Sequence, residues 1–176
     1  MSESTNKTCL IVDDDQMILS TVEQCMETIG YSCSTAISAE DALKILAEKS
    51  FSLMITDLQM GGMNGIELTK LAKKAHPSMS IIAMTGYIDD HHYDEAIEAG
   101  ASDFLKKPFT VNEIHARVER VARDAKFLEL LKKKEKSMEE ISTLMISGLQ
   151  EEAQQKFADL EAKIVKLKEE IFASKT

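Results

Sequence analysis

Four apolar runs in this chain stop abruptly at a carboxylate, a hydroxyl or an ammonium. They are Ile11-Val12-Asp13-Asp14-Asp15, Ile55-Thr56-Asp57, Met84-Thr85-Gly86 and Leu105-Lys106-Lys107-Pro108-Phe109. Short apolar runs bounded in this way are the pattern of buried parallel strands, which are covered on both faces and so do not alternate in polarity. In an open α/β sheet, ligands bind in the crevice beyond the carboxyl ends of the strands, near the point where strand order reverses. Three acids, a threonine and a lysine brought there together point to a divalent cation and a phosphoryl group.

Between these runs lie helical patterns in regular alternation, the signature of βαβ units and a parallel sheet. Strands are expected over 9–12, 31–36, 51–56, 79–84 and 102–105. The first helix, 16–29, carries Ile18, Val22, Cys25, Met26 and Ile29 at helical spacing and stops at Gly30, a natural C-cap. Ser38-Ala39-Glu40-Asp41 resembles a capping box and opens the second helix through Leu43, Leu46 and Ala47. The third helix carries Ile66, Leu68 and Leu71 after a Gly61-Gly62-Met63-Asn64-Gly65 turn. It closes at His76-Pro77, because proline disfavours helix in the residue before it. A fourth spans 88–99 up to Gly100. Thr110-Val111-Asn112-Glu113 is a second capping box, and the helix that it starts has no obvious stop.

From residue 125 onward the composition changes, with no proline, the single glycine Gly148, and abundant Lys, Glu, Gln, Leu and Ile. Ala153, Phe157, Leu160, Ile164, Leu167 and Ile171 follow a 4-3-4-3-4 spacing, a short heptad seam. Leu128, Leu131, Met138, Ile141 and Met145 also recur helically, in a register that does not continue through Gly148. Two readings stay open: one long helix with a stutter, or a hairpin at Ser147-Gly148. The expected organisation is a disordered terminus over 1–7, a first domain over 8–125, and a helical, coiled-coil-forming extension over 126–176.

The net charge of -9 argues against nucleic acid and anionic lipid as partners. A compact helix-turn-helix would need a more basic and varied sequence than this acidic, turn-poor extension. No apolar segment is long enough to span a bilayer, and the polar N-terminus lacks the apolar stretch of a signal peptide, so a cytoplasmic protein is expected. Cys9, Cys25 and Cys33 show no metal-ligand spacing and are expected to be reduced packing residues. The four histidines, His76, His91, His92 and His115, are expected at the surface.

Phosphoryl transfer to a carboxylate needs an ionised acceptor, a cation that offsets the crowding of negative charge, and donors for the equatorial oxygens. Asp57, at the end of the central strand, is the natural acceptor. Asp13 and Asp14 suit Mg²⁺ as hard oxygen ligands, together with Asp57, and the Gln59 backbone carbonyl adds a further oxygen. Thr85 offers a hydroxyl, Gly86 leaves room for the phosphoryl group, and Lys107 adds a positive charge beside Pro108. Asp15 is expected to act as a helix N-cap instead.

With these motifs in order, residues 8 to about 125 resemble the receiver domain of two-component response regulators. The resemblance rests on Asp13-Asp14, Asp57, Met63-Asn64-Gly65, Thr85-Gly86 and Lys107-Pro108-Phe109. It implies a doubly wound five-stranded parallel sheet of the flavodoxin-like order 2-1-3-4-5. It implies that Asp57 takes its phosphoryl group from a sensor histidine kinase or a histidine phosphotransfer protein. It also implies that Thr85 and Phe104 are switch residues, which remodel the face made by the fourth helix, fifth strand and fifth helix. One departure is Gly61, where receivers usually carry proline; the two glycines there are expected to loosen the loop after Asp57. Tyr87 is placed to screen an acyl phosphate from water.

The chain is expected to be a phosphoacceptor that assists its own phosphotransfer and dephosphorylation, not an enzyme, with a separate catalytic output left open. The extension would serve as a signalling element, for homodimerisation through its helices or for docking a partner protein. The alternative is a phosphatase acting on phosphorylated receivers, with an acid and an amide or hydroxyl drawn from Glu140-Ile141-Ser142-Thr143 or from Glu151-Glu152-Ala153-Gln154-Gln155.

Overall fold

The computed structural model describes residues 7–86 and 90–173; the side chains of 90–92 and 167–173 are outside that description. The chain forms two compact units, 1–122 and 123–176.

In the first unit strands and helices alternate: β1 (Thr8–Val12), α1 (Gln16–Thr28), β2 (Ser32–Ala36), α2 (Ala39–Glu48), β3 (Leu53–Asp57), α3 (Gly65–Ala75), β4 (Ser80–Thr85), α4 (Asp90–Ala99), β5 (Asp103–Lys106) and α5 (Val111–Ile146). The strands form one sheet of order β2-β1-β3-β4-β5 with every pairing parallel, as the resemblance implied. The strand order reverses between β1 and β3, so a crevice opens at their carboxyl ends.

Successive strand residues face opposite sides of a sheet, and the core divides accordingly. Cys9, Ile11, Ile55, Ile82, Met84 and Leu105 pack with Leu19, Val22 and Met26 of α1 and Ile114, Val118 and Val121 of α5. Leu10, Val12, Met54 and Ile81 pack on the other face with Ala39, Ala42 and Leu46 of α2 and Leu68 and Ala72 of α3. Ala83 and Phe104 continue that second face, against Ala96 of α4. Being covered on both sides explains why β3 and β4 consist wholly of buried residues.

The helix starts follow the sequence signals. The Asp15 carboxylate accepts from the Met17 N–H at 2.8 Å, the Ser38 hydroxyl from Asp41 N–H at 3.1 Å, and Asn64 Oδ1 from Glu67 N–H at 2.9 Å. Thr110 and Glu113 cap each other: Glu113 Oε2 accepts from the Thr110 N–H at 2.7 Å, and the Thr110 hydroxyl accepts from the Glu113 N–H at 3.3 Å.

The second unit contains the remainder of α5 and α6 (Gln150–Ala173). Of the two readings left open by the sequence, the hairpin is the one observed. Gly148 adopts φ +80°; its N–H donates to Met145 O, and the Leu149 N–H to Leu144 O. This pair of bonds is the Schellman stop, which places a left-handed residue where glycine has no steric penalty. Lys156 then reaches Glu140 at 3.0 Å across the turn, so the two helices fold back on each other. Ile141 and Ala153 are buried, and Leu160 and Ile164 are half-buried. The seam's last two positions, Leu167 and Ile171, have side chains outside the description. No helix among the described residues is long and apolar enough to cross a membrane.

Candidate functional site

The parallel strands deliver their terminal residues to one place. Asp13 follows β1 immediately and is fully buried, with its Oδ1 accepting the Asp15 N–H at 3.0 Å. Asp57 ends β3 and Thr85 ends β4; they are 5% and 2% exposed. Lys107 follows β5 through a backbone bond from its N–H to Thr85 O at 2.7 Å. The ammonium of Lys107 lies 2.7 Å from Asp13 Oδ2 and 3.2 Å from Asp57 Oδ1, joining two strand ends that are far apart in sequence.

Asp13, Asp14 and Asp57 each offer a carboxylate oxygen within 4.8 Å of the others. The hard oxygens of three carboxylates so close together suit a divalent cation. Burial pushes the Asp57 carboxyl above the ordinary range; Lys107 pulls it back down, Asp13 pushes it further up, and the Gln59 N–H lowers it by bonding to the carboxylate. Burial opposes the charge on Lys107, but Asp13 and Asp57 outweigh it and leave that ammonium more basic than usual. The acidic cluster is thus compatible with Mg²⁺ at the position expected of it.

The glycines beside these strand ends differ in the room around them. A methyl group added at Gly86 would meet nothing within 4 Å. Gly65 is the reverse case: a Cβ there would overlap the Asp57 carbonyl oxygen, so α3 can begin against β3 only without a side chain. The Gly65 N–H donates to Leu58 O at 3.1 Å and fixes that approach. The sequence showed Met63-Asn64-Gly65 as a turn; the close approach that requires its glycine is visible only in three dimensions.

Two further ties were not foreseen. Glu40 Oε1 accepts the Met63 N–H at 3.2 Å and lies 3.1 Å from where a Cβ on Gly62 would sit. The loop after Asp57, expected to be loosened by its two glycines, is therefore held from α2, with Gly62 at φ +82°. Asp103, at the start of β5, is buried and meets Arg117 at 3.2 Å and Arg120 at 2.8 Å, while its Oδ1 accepts the Phe104 N–H at 2.8 Å. The Arg120 contact is a charge contact without hydrogen-bond alignment. An acid beginning a strand and two arginines three apart on a helix were the available signal.

Phe104 is buried and stacks on Tyr93 of α4, with ring centroids 4.4 Å apart. Lys107-Pro108 is a cis peptide. Tyr87, expected to screen the site, lies outside the described residues, as do residues 1–6 of the terminus expected to be disordered. His115 Nε2 lies 3.3 Å from Cys25 O, and His76 Nε2 lies 3.1 Å from Leu46 O; both rings pack between elements. In the extension, Glu140 pairs with Lys156, the Thr143 hydroxyl donates to Glu139 O at 2.9 Å, and Gln155 Nε2 donates to Asp159 at 3.3 Å.

The family described as Response regulator receiver domain matches residues 9–119. The chain belongs to that family. The DNA-binding transcriptional regulator NtrC of Escherichia coli (strain K12) is 36% identical over 110 residues, covering 62% of this chain and 24% of that protein. The transcriptional regulatory protein CrdR of Helicobacter pylori is 33% identical over 119 residues, 67% of this chain and 56% of CrdR. The chain therefore spans about a quarter of NtrC and just over half of CrdR. Among solved structures, a CheY-like receiver domain protein from Methanospirillum hungatei superposes with a TM-score of 0.67 at 30% identity. That match covers 69% of this chain and 98% of the other. These likenesses support a phosphoacceptor role for the first unit.

Proposed function

We propose that this receiver accepts a phosphoryl group on Asp57 from the phosphohistidine of a sensor histidine kinase or a histidine phosphotransfer protein. In that step an Asp57 carboxylate oxygen bonds to phosphorus as the phosphorus–nitrogen bond breaks, and the imidazole departs. Asp13, Asp14, Asp57 and the Gln59 backbone carbonyl would hold Mg²⁺, which supplies charge compensation for the phosphoryl oxygens. Lys107 and Thr85 border the same space, and Gly86 leaves it open. The observation that carries this reading is the Lys107 ammonium bridging Asp13 and Asp57 beside a three-carboxylate cluster.

Phosphorylation adds negative charge where Lys107 and Thr85 can follow it. In this reading Thr85 and Phe104 are the two-state element, and the output is the helical hairpin, used for dimerisation or for docking a partner protein. Phe127, Leu128, Leu131, Met138 and Met145 support such an output, because they leave an exposed apolar stripe on one helix.

The test is to incubate the full chain with Mg²⁺ and a small acyl phosphate, then count and map incorporated phosphate. One phosphoryl group on Asp57, lost in Asp57→Asn and lost on chelation of the metal, is expected. Undiminished labelling of Asp57→Asn would overturn the assignment.

A further inference from the structure

The three cysteines are not in equivalent surroundings. Cys9 and Cys33 are register partners on the neighbouring parallel strands β1 and β2. In-register neighbours project to the same face of a sheet, and both side chains join the same core cluster. Adjacent strands lie about 4.8 Å apart, inside the Cα separations of about 4.4–6.8 Å that disulfides span. Cys9 is fully buried, whereas Cys33 is only half-buried and can be reached from solvent.

The two thiols also differ in chemistry. A hydrogen bond from Cys9 favours the Cys33 thiolate and holds that thiol below its ordinary range, against burial and the charges of Glu23 and Glu27. Burial, and then Cys33 itself, push the Cys9 thiol well up. One accessible sulfur that ionises more easily beside one enclosed sulfur that does not is the arrangement of a reacting and a resolving pair.

We propose that Cys33 and Cys9 form a peroxide-oxidisable dithiol, with Cys33 the sulfur that reacts and Cys9 the one that resolves it. The Cys33 thiolate attacks one oxygen of a hydroperoxide; the O–O bond breaks, a proton is taken up, and Cys33 sulfenic acid forms with water or an alcohol as the leaving product. The Cys9 sulfur then attacks the Cys33 sulfur, the S–O bond breaks, and the Cys9 proton leaves with the hydroxyl as water. Two thiols are oxidised by two electrons and one peroxide is reduced.

In-register parallel neighbours hold their Cβ atoms somewhat farther apart than the roughly 3.5–4.5 Å that a relaxed disulfide prefers. The bridge therefore requires an adjustment of β2, an edge strand that pairs with β1 alone among the described residues. Strain of this kind makes a disulfide easier to reduce, which suits a reversible modification. The same strand pair carries the metal-binding end of the sheet, because Asp13 N–H donates to Ala36 O at 3.2 Å.

The experiment is peroxide treatment of the reduced full chain, alkylation of the remaining thiols, and peptide mapping by mass spectrometry. Joint loss of two of the three alkylatable thiols is expected, with a Cys9–Cys33 cross-linked peptide, Cys25 still alkylated, and recovery on adding a dithiol reductant. Cys9→Ala should leave a Cys33 sulfenic acid that a dimedone probe traps, and Cys33→Ala should abolish the bridge. Cross-links through Cys25, bridges between chains only, or three thiols that stay alkylatable in the wild-type protein would each overturn the proposal.

Discussion

The two units of this chain spend their apolar residues in opposite ways. In residues 7–122 most aliphatic side chains are enclosed between sheet and helices, down to fully buried Leu10, Ile11, Met54 and Ile55, with Ile37, Leu71, Ile97 and Val111 left exposed at the surface. Among the described side chains of the second unit, Ile141 and Ala153 are the buried apolar ones, while Phe127, Leu128, Leu131, Met138, Met145 and Phe157 remain 40–57% exposed. The same contrast holds for charge. Asp103 is enclosed beneath the half-exposed Arg117 and Arg120, and Asp13 is enclosed with Lys107, whereas the Glu140–Lys156 pair is half exposed at both ends. A closed core stabilises itself; an open apolar stripe needs something else to cover it. In the proposed reading the first unit holds the site and the second meets another surface.

Substitutions of like kind in the two units give the sharpest contrast. Ile55→Ala should destabilise the first unit by about 2–5 kcal/mol, the range for emptying a packed aliphatic site. Leu131→Ala, already half in solvent, should cost under about 0.5 kcal/mol in a monomer; chemical denaturation of the two variants measures both. Equal losses would break the contrast.

Charges should divide the same way at smaller scale. Asp103→Ala strands two guanidinium groups that are each about half exposed, so a loss of about 2 kcal/mol is expected, below that of a fully enclosed pair. Glu140→Ala should leave unfolding unchanged, because its partner stays hydrated. Gly148→Ala forces a side chain into the left-handed region and should cost about 1 kcal/mol, seen as lost helicity.

The smallest effect should be a gain. The Asp57 carboxyl is raised above its unfolded value by burial, so the folded chain holds that proton more tightly. Its contribution favours folding below the unfolded carboxyl range and declines as pH rises through the raised value. At neutral pH the cost is fully present, and Asp57→Asn removes it. The variant should melt slightly higher than wild type at pH 7, with the difference shrinking in acid; a lower melting temperature at pH 7 would contradict the sign.

How much was legible follows from which signals are local. Buried parallel strands appear in sequence as apolar runs, so the ends carrying Asp13, Asp57, Thr85 and Lys107 could be placed, and Asp15, Ser38, Asn64 and Thr110 marked their helices by chemistry that acts within a few residues. The sheet order came from the family resemblance, since nothing local specifies which strands pair. Gly148 marked a break, but a straight stutter and a hairpin share one sequence pattern until the φ of that residue is known. Glu40 holding Met63, the Arg117–Asp103–Arg120 contacts and the facing of Cys9 and Cys33 depend on pairings across 14–24 residues, which no local pattern encodes. Gly65 was readable as a turn residue, while the closeness of the Asp57 carbonyl was not.

The central claim is that the charge state of Asp57 governs what the helical hairpin does. Sedimentation of the full chain with Mg²⁺, in the presence and absence of beryllofluoride as a phosphoryl mimic, tests it most directly. We expect the solution mass to change between monomer and dimer when the mimic is added, and Asp57→Asn to show no change. An identical mass in both states, whether monomer or dimer, would contradict control of assembly by Asp57.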